Sequence, residues 1–280
     1  MDAIKSVYAR EILDSRGEPT LEITVISQQD LQGTAAVPAG ASTGIHEALE
    51  LRDNDPVRFR GKGVLKACRN VNEVIQSALI GFDPTDQKKI DNRLIQLDGT
   101  PNKGRLGANA IVGVSLAVAR LGAKVKNHQP LYAYLAEQFD FSAKNLSLPT
   151  PLINVINGGK HAVTNLDFQE FWVIPRRFDS FKEKIQAGSE IFHALGQLLT
   201  EEGLDTDVGA EGGYAPDVVK TEQVWRFLET AIDKSNYQLG GEVFLGLDAG
   251  ASTFYETKSQ RYLLDLEKES FSAAELIAYY

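Results

Sequence analysis

The chain has 280 residues, of which 43% are hydrophobic and 24% charged, and its formal net charge at pH 7 is −9. This length is enough for a sizeable core and predicts two domains, while the acidic balance disfavours nucleic acid, whose phosphates select basic surfaces. The one cysteine excludes an internal disulfide, and there is neither a signal-peptide core nor an apolar run of membrane-spanning length. We therefore expect a cytoplasmic protein with no membrane span and with Cys68 as a buried thiol.

The first half of the sequence predicts strands followed by helices. Three short strands joined by short turns are typical of an antiparallel meander, and they are expected over 4–12, 20–27 and 33–37. Apolar residues at helical spacing then predict helices over 62–79 and 84–97, and further helices are expected over 45–52, 107–123 and 131–138. The 107–123 helix is apolar nearly all round, and its modest length and Arg120 favour a core helix over a membrane span.

Pro149 and Pro151 mark a domain boundary. Residues 1–140 are predicted to form an α+β domain, and residues 148–280 a second domain. In the second domain, strands are expected over 152–156, 168–174 and 243–248, and helices over 180–200 and 221–234. A small hairpin or an extended excursion is expected over 254–266, followed by a final helix over 273–280 capped by Ser272. The overall fold class is α/β.

A polar stretch connects the first two strands of the second domain. The connection carries Gly158 and Gly159 and has no helical period, so the strands are expected to be antiparallel neighbours. That geometry gathers five polar residues at one rim of a sheet: His161, Asn165, Asp167, Gln169 and Glu170. Strand alternation places Glu170 on the face of Phe168 and Trp172, with Gln169 on the other. A solvated hairpin is the plain alternative, but Glu170 enters an apolar strand, where a carboxylate is costly unless paired or bound.

Three further segments carry candidate functional residues. Residues 37–44, Val-Pro-Ala-Gly-Ala-Ser-Thr-Gly, form a small-residue loop that can approach a ligand closely, although Ser42 can equally well cap the next helix. Residues 208–216 contain Glu211 flanked by glycines, which is also compatible with a simple surface loop. Asp248 ends an apolar strand, where α/β barrels keep their chemistry, but it can alternatively cap a helix.

Together these motifs resemble enolase, the phosphopyruvate hydratase of glycolysis. The resemblance rests on Gly-Gly-Lys-His-Ala at 158–162, Leu-Asp-Phe-Gln-Glu-Phe at 166–171, the 37–44 loop and the 209–213 loop, in order along the chain. It implies an N-terminal α+β domain followed by an α/β barrel domain, a dimer or larger oligomer, and magnesium-dependent dehydration of 2-phosphoglycerate to phosphoenolpyruvate. The chemistry suits that assignment, because the intermediate is strongly anionic and two magnesium ions concentrate positive charge beside it.

The resemblance also implies residue roles. Glu211 matches the general acid of the family, and Glu170 supports it and contacts the substrate. His161 and Gln169 position substrate groups. Asp248 matches a Mg²⁺ ligand, and Ser42 brings the closing loop and a second Mg²⁺. Ala210 stands where the family has aspartate, which is expected to make Glu211 easier to ionise and so a poorer acid.

The inventory of enolase residues is incomplete in this sequence. No segment after Asp248 matches the lysine base, the later metal carboxylates or the phosphate-binding Ser-Arg pair, and three strands are too few for a closed barrel. The sequence therefore predicts an enolase chain ending within its barrel, with negligible dehydratase activity by itself. A catalytically inactive, enolase-like binding or scaffold protein is the alternative. Another member of the wider superfamily is disfavoured by the two enolase-type loops.

Overall fold

The computed structural model describes residues 2–40, 44, 46–141, 146–209 and 211–280. The chain divides into two compact units, one formed by 1–40 and 46–146 and the other by 41–45 and 147–280. The 37–44 loop that contains Ser42 lies partly outside the described residues, and so does Ala210.

The first unit is built on a three-stranded sheet. Its strands run consecutively as an antiparallel meander, which confirms the sequence prediction, and they are β1 (Ile4–Leu13), β2 (Pro19–Ser27) and β3 (Gln32–Ala36). Along β1 buried residues largely alternate with more exposed ones, as expected for a strand covered on one face, whereas the central strand β2 is buried along most of its length. That covered face forms the core with the helices that follow.

Helices cover this sheet, in the order that the periodicity predicts. α1 (Leu65–Arg69) continues through a π-helical segment (Asn70–Ile75) into α2 (Gln76–Leu79), and then come α3 (Gln87–Asp98), α4 (Ala108–Val125) and α5 (Leu131–Gln138). Among the described residues, α4 is the one helix long and apolar enough to cross a membrane, but 61% of it is buried inside this protein. It therefore serves as the core helix of the first unit, as predicted.

The predicted helix over 45–52 is wrong, because the described residues 46–55 form no helix. Their backbone groups are used elsewhere. The Leu51 N–H donates to Asn109 Oδ1, the Asn109 amide donates back to the Leu51 carbonyl, and Leu49 exchanges backbone hydrogen bonds with Asn102 and Ala108. These long-range bonds replace the i to i−4 bonds that a helix would make.

The second unit is built on a sheet in the order β4 (Ile153–Asn157), β5 (Glu170–Pro175) and β6 (Val243–Asp248), and both pairings are antiparallel. The predicted relation between the first two strands is thus confirmed. One face of β5 is fully buried through Phe171 and Val173. Because Phe171 stacks edge-on against Trp225, with ring centroids 5.0 Å apart, that face packs against the helical side of the unit.

Two long helices contribute to the same hydrophobic core. They are α6 (Phe181–Glu201) and α7 (Thr221–Lys234). A separate three-stranded sheet of β7 (Tyr255–Glu256), β8 (Arg261–Leu264) and β9 (Glu269–Phe271) precedes α8 (Ala273–Tyr279). The predicted Ser272 cap of that last helix is confirmed, since its hydroxyl accepts from the Glu275 N–H.

Candidate active site

Three polar residues lie side by side at one end of the second sheet. β4 ends at Asn157, β5 begins at Glu170 and β6 ends at Asp248, and the register pairs Asn157 with Glu170 and Glu170 with Asp248. Residues directly opposite each other in antiparallel strands project from the same face. These three residues, called the rim below, therefore share one end and one face of the sheet.

The carboxylate of Glu170 is held at both oxygens. His161 Nδ1 lies 3.0 Å from Oε1, and the Trp172 indole N–H donates to Oε2 at 2.6 Å. His161 reaches this position from a single 3₁₀ turn, Gly159–His161, and it is buried. The predicted meeting of His161 and Glu170 is thus present, whereas the Trp172 contact was not anticipated beyond its place on the same face.

Phe168 does not share the face of Glu170, contrary to the sequence prediction. It packs in the core against Phe171 and Phe254, with ring centroids 6.3 and 5.7 Å away. The reason is that β5 begins only at Glu170, so the strict alternation of a strand does not extend back to residue 168.

Two buried amides flank Glu170. The Gln169 side chain is 5% exposed, and its Oε1 has no hydrogen-bond partner among the described residues. Its amide lies against Gly250, where any Cβ would overlap it. Asn157 is fully buried, its Oδ1 accepts from the Gly213 N–H at 2.8 Å, and its Nδ2 has no partner in the described part of the chain. Buried polar atoms are rarely left unpaired, so one acceptor and one donor at this end of the sheet suit a polar ligand.

Sequence reasoning gave Asn157 no role. The available signal was its position, since an amide closes an apolar strand and is followed at once by two glycines. For Trp172 the signal was weaker. Its side chain has one N–H donor and follows Glu170 by two residues in a strand, which is compatible with a hydrogen bond between them.

The loop that carries Glu211 is fastened to the same end of the sheet. Besides the bond from Gly213 to Asn157, the Gly209 N–H donates to the Gly213 carbonyl at 2.8 Å. A Cβ at Gly209 would come within 2.8 Å of both Asn157 Cβ and the His161 carbonyl oxygen. This close approach requires glycine at 209, and it places the exposed Glu211 in a short loop docked on the residues beside Glu170.

Asn165 and Asp167 anchor loops. The Asn165 side chain exchanges hydrogen bonds with the backbone N–H and carbonyl of Val218, at 3.0 and 2.6 Å. The Asp167 carboxylate accepts the N–H groups of Asp265 and Leu266, at 3.1 and 3.0 Å, and burial raises its pKa above the ordinary value. Both side chains thus hold the 158–169 connection to other loops, and neither has a described contact with Glu170.

Two family models cover nearly the whole chain. The enolase N-terminal domain matches residues 4–135, and the enolase C-terminal TIM barrel domain matches residues 145–280. The chain belongs to the enolase family. The mixture of helices and sheets is the α/β architecture that this assignment requires.

Enolases generally depend on magnesium, and the described side chains at the rim fit a magnesium site only in part. Asp248 Oδ1 accepts the Gly250 N–H at 3.1 Å and presents a carboxylate of the kind that magnesium prefers. Both oxygens of the neighbouring Glu170 are already engaged. Within 2–40, 44, 46–141, 146–209 and 211–280, no group of three or more His, Cys, Asp or Glu side chains is arranged to hold a metal. The described residues therefore offer one carboxylate of a type suited to magnesium and do not complete a metal site.

Proposed function

We propose that this chain takes part in the dehydration of 2-phosphoglycerate to phosphoenolpyruvate in cytoplasmic glycolysis, as a lyase of the enolase family. The observation that supports it most directly is the rim, where a doubly held Glu170 lies beside Asp248 and between two buried amides with unpaired atoms. An anionic, hydroxyl-bearing substrate suits such an arrangement, because it can accept from Asn157 and donate to Gln169.

The proposed roles follow from where each group lies. Glu211 donates a proton to the departing hydroxyl, as its place in an exposed loop docked beside Glu170 permits. Glu170 presents a fixed acceptor to the substrate. His161 keeps that carboxylate in place from one side, and Gln169 orients the substrate through its unpaired oxygen.

We further propose Mg²⁺ as the cofactor, with Asp248 as one ligand and Ser42 as a ligand of a second ion. When bound, magnesium supplies positive charge beside the carboxylate that becomes more negative during proton removal. Ser42 lies outside the described residues, so its proposed role rests on its sequence motif. A homodimer or larger oligomer, as in the family, is part of the same proposal and is measurable by light scattering.

Isothermal titration calorimetry tests this function. We expect 2-phosphoglycerate to bind only with MgCl₂ present, and Asp248→Asn to weaken that binding by about tenfold or more, because it removes a charged ligand. Asp233→Asn, which changes an exposed carboxylate on α7, is the matched control and should bind as the unaltered chain does. Equal affinities of the unaltered chain and the Asp248→Asn variant would rule out the assignment of the rim.

An enolase-like binding protein without turnover is the second candidate. The polar face of the second sheet carries Asn154, Asn157, Glu170, Trp172 and Asp248 by register, and a lysine base is not among these five. A coupled assay for phosphoenolpyruvate tests the second candidate. Sustained product formation by the 280-residue chain rules out the binding protein, whereas binding without product formation is expected both of the binding protein and of an enolase chain that ends within its barrel.

A further inference from the structure

We propose that Trp172 is a positioning residue, whose indole N–H fixes the Glu170 carboxylate in the orientation that meets a ligand at the rim. The presence of a ligand at the rim rests on the proposed function, whereas the contact between Trp172 and Glu170 is independent of it. The bond is 2.6 Å long and joins a neutral donor to a carboxylate, a pairing stronger than one between neutral groups.

Strand geometry makes this contact local and reproducible. Trp172 follows Glu170 by two residues in β5, so the two side chains leave the same face of the sheet. Across the sheet, Trp172 pairs with Gly246 of β6. A Cβ at Gly246 would lie 3.1 Å from the indole Cε3 and 2.9 Å from Ile174 Cδ1. Glycine at this position therefore makes room for the indole to lie on the sheet with its N–H directed at Glu170.

The contact limits what Glu170 can do. An indole only donates and an ionised carboxylate only accepts, so the bond has one possible direction. With His161 on the other oxygen, rotation of the carboxylate toward a cation would break at least one of these two contacts. The arrangement assigns Glu170 to the substrate and leaves the cation to Asp248. The rigid indole achieves this at low entropic cost, because few side-chain torsions are fixed.

The second tryptophan provides a matched comparison. Trp225 lies on α7 and packs edge-on against Phe171, on the buried face of the same sheet. The chain has two tryptophans, so its ¹H–¹⁵N spectrum contains two indole signals. Trp172→Phe and Trp225→Phe each remove one signal and thereby assign both. Each substitution keeps an aromatic ring and deletes one N–H group.

The first test is spectroscopic and needs no activity. Replacing Glu170 by Leu removes the acceptor, and we expect the Trp172 indole proton to move upfield and to exchange faster with solvent while the Trp225 signal stays in place. Glu170→Gln, which keeps the shape and lowers the acceptor's charge, is expected to move the same signal by a smaller amount and serves if the leucine variant does not fold. A Trp172 signal unaffected by these replacements overturns the proposal.

The second test measures ligand binding by calorimetry, with 2-phosphoglycerate and MgCl₂ as the probe. Trp172→Phe is expected to weaken binding by about tenfold, the worth of a hydrogen bond to a charged group, and Trp225→Phe to leave the affinity unchanged. Equal affinities of the unaltered chain and the Trp172→Phe variant overturn the positioning role. If the unaltered chain does not bind the probe, the proposed function fails, and the indole signals alone decide the contact.

Discussion

Asn157→Ala is the substitution whose effect is best defined by the structure. It deletes the acceptor of the Gly213 N–H, a bond of 2.8 Å between buried groups. Leaving a buried donor unpaired costs about 1–3 kcal/mol, and a loss of about 2 kcal/mol corresponds to a roughly 30-fold larger equilibrium population of the loop conformations in which the Gly213 amide is open to solvent. The bonds that Tyr214 makes to Asn157 and Val155 are between backbone atoms and persist. The change is therefore expected to loosen the loop carrying Glu211 without unfolding the sheet.

Hydrogen exchange resolved by residue measures this effect. The Gly213 amide should lose about 30-fold in protection, with Tyr214 changing far less. Asn165→Ala is the control, because it deletes the acceptor of the Val218 N–H in a neighbouring loop. That variant should expose Val218 and leave Gly213 as it was. An unchanged Gly213 exchange rate in Asn157→Ala would refute the argument that this amide fastens the loop.

Three further predictions concern residues of the first unit. Hydrogen bonds from Arg58 hold the pKa of Glu11 below its ordinary value. Ionised Glu11 therefore stabilises the folded protein at a pH above the ordinary pKa, and this stabilisation is lost as the pH falls through the lowered pKa. Urea titrations should show that Glu11→Gln reduces the free energy of unfolding more at pH 7 than at pH 3. Gly33→Ala places a methyl into the backbone of α4 at Ala117 and should lower the free energy of unfolding by about 1–3 kcal/mol or more, so an unchanged denaturation midpoint would contradict the packing. Burial raises the pKa of the Cys68 thiol to about 11, and iodoacetamide should therefore label it at pH 8 in denaturant but hardly in the native protein, which mass spectrometry measures.

The sequence predicted regular elements well where apolar periodicity was strong. The helices Leu131–Gln138 and Thr221–Lys234 have the predicted bounds, and the Val243–Asp248 strand does too. The prediction of a helix over residues 45–52 was wrong, because the described backbone there bonds to Asn109 and its neighbours instead. Those partners lie almost 60 residues away, and local periodicity carries no information about them.

Within the site, the sequence identified residues more readily than it identified their partners. Glu170 was marked by its entry into an apolar strand and Asp248 by its place at a strand end, and the structure sets both on the rim. Asn165 and Asp167 were polar in the same stretch, yet they anchor loops. A polar residue in a connection can face a ligand or a neighbouring loop, and that choice depends on which segments fold against it. The roles of Glu211, His161 and Gln169 in binding or catalysis remain predictions.

The amino-acid sequence by itself determined the local facts: the segments that form β1 to β6, the shared face of Glu170 and Trp172, and the glycines around Glu211. These follow from side-chain periodicity and backbone freedom, which act over a few residues. Only the tertiary structure decided that Asn157, Glu170 and Asp248 lie opposite one another on adjacent strands, and that the Gly213 N–H donates a hydrogen bond to Asn157. Register depends on the buried face of the sheet and on the segments that connect the strands. Between β5 and β6 those segments include α6 and α7, so local periodicity does not fix which residues lie opposite each other.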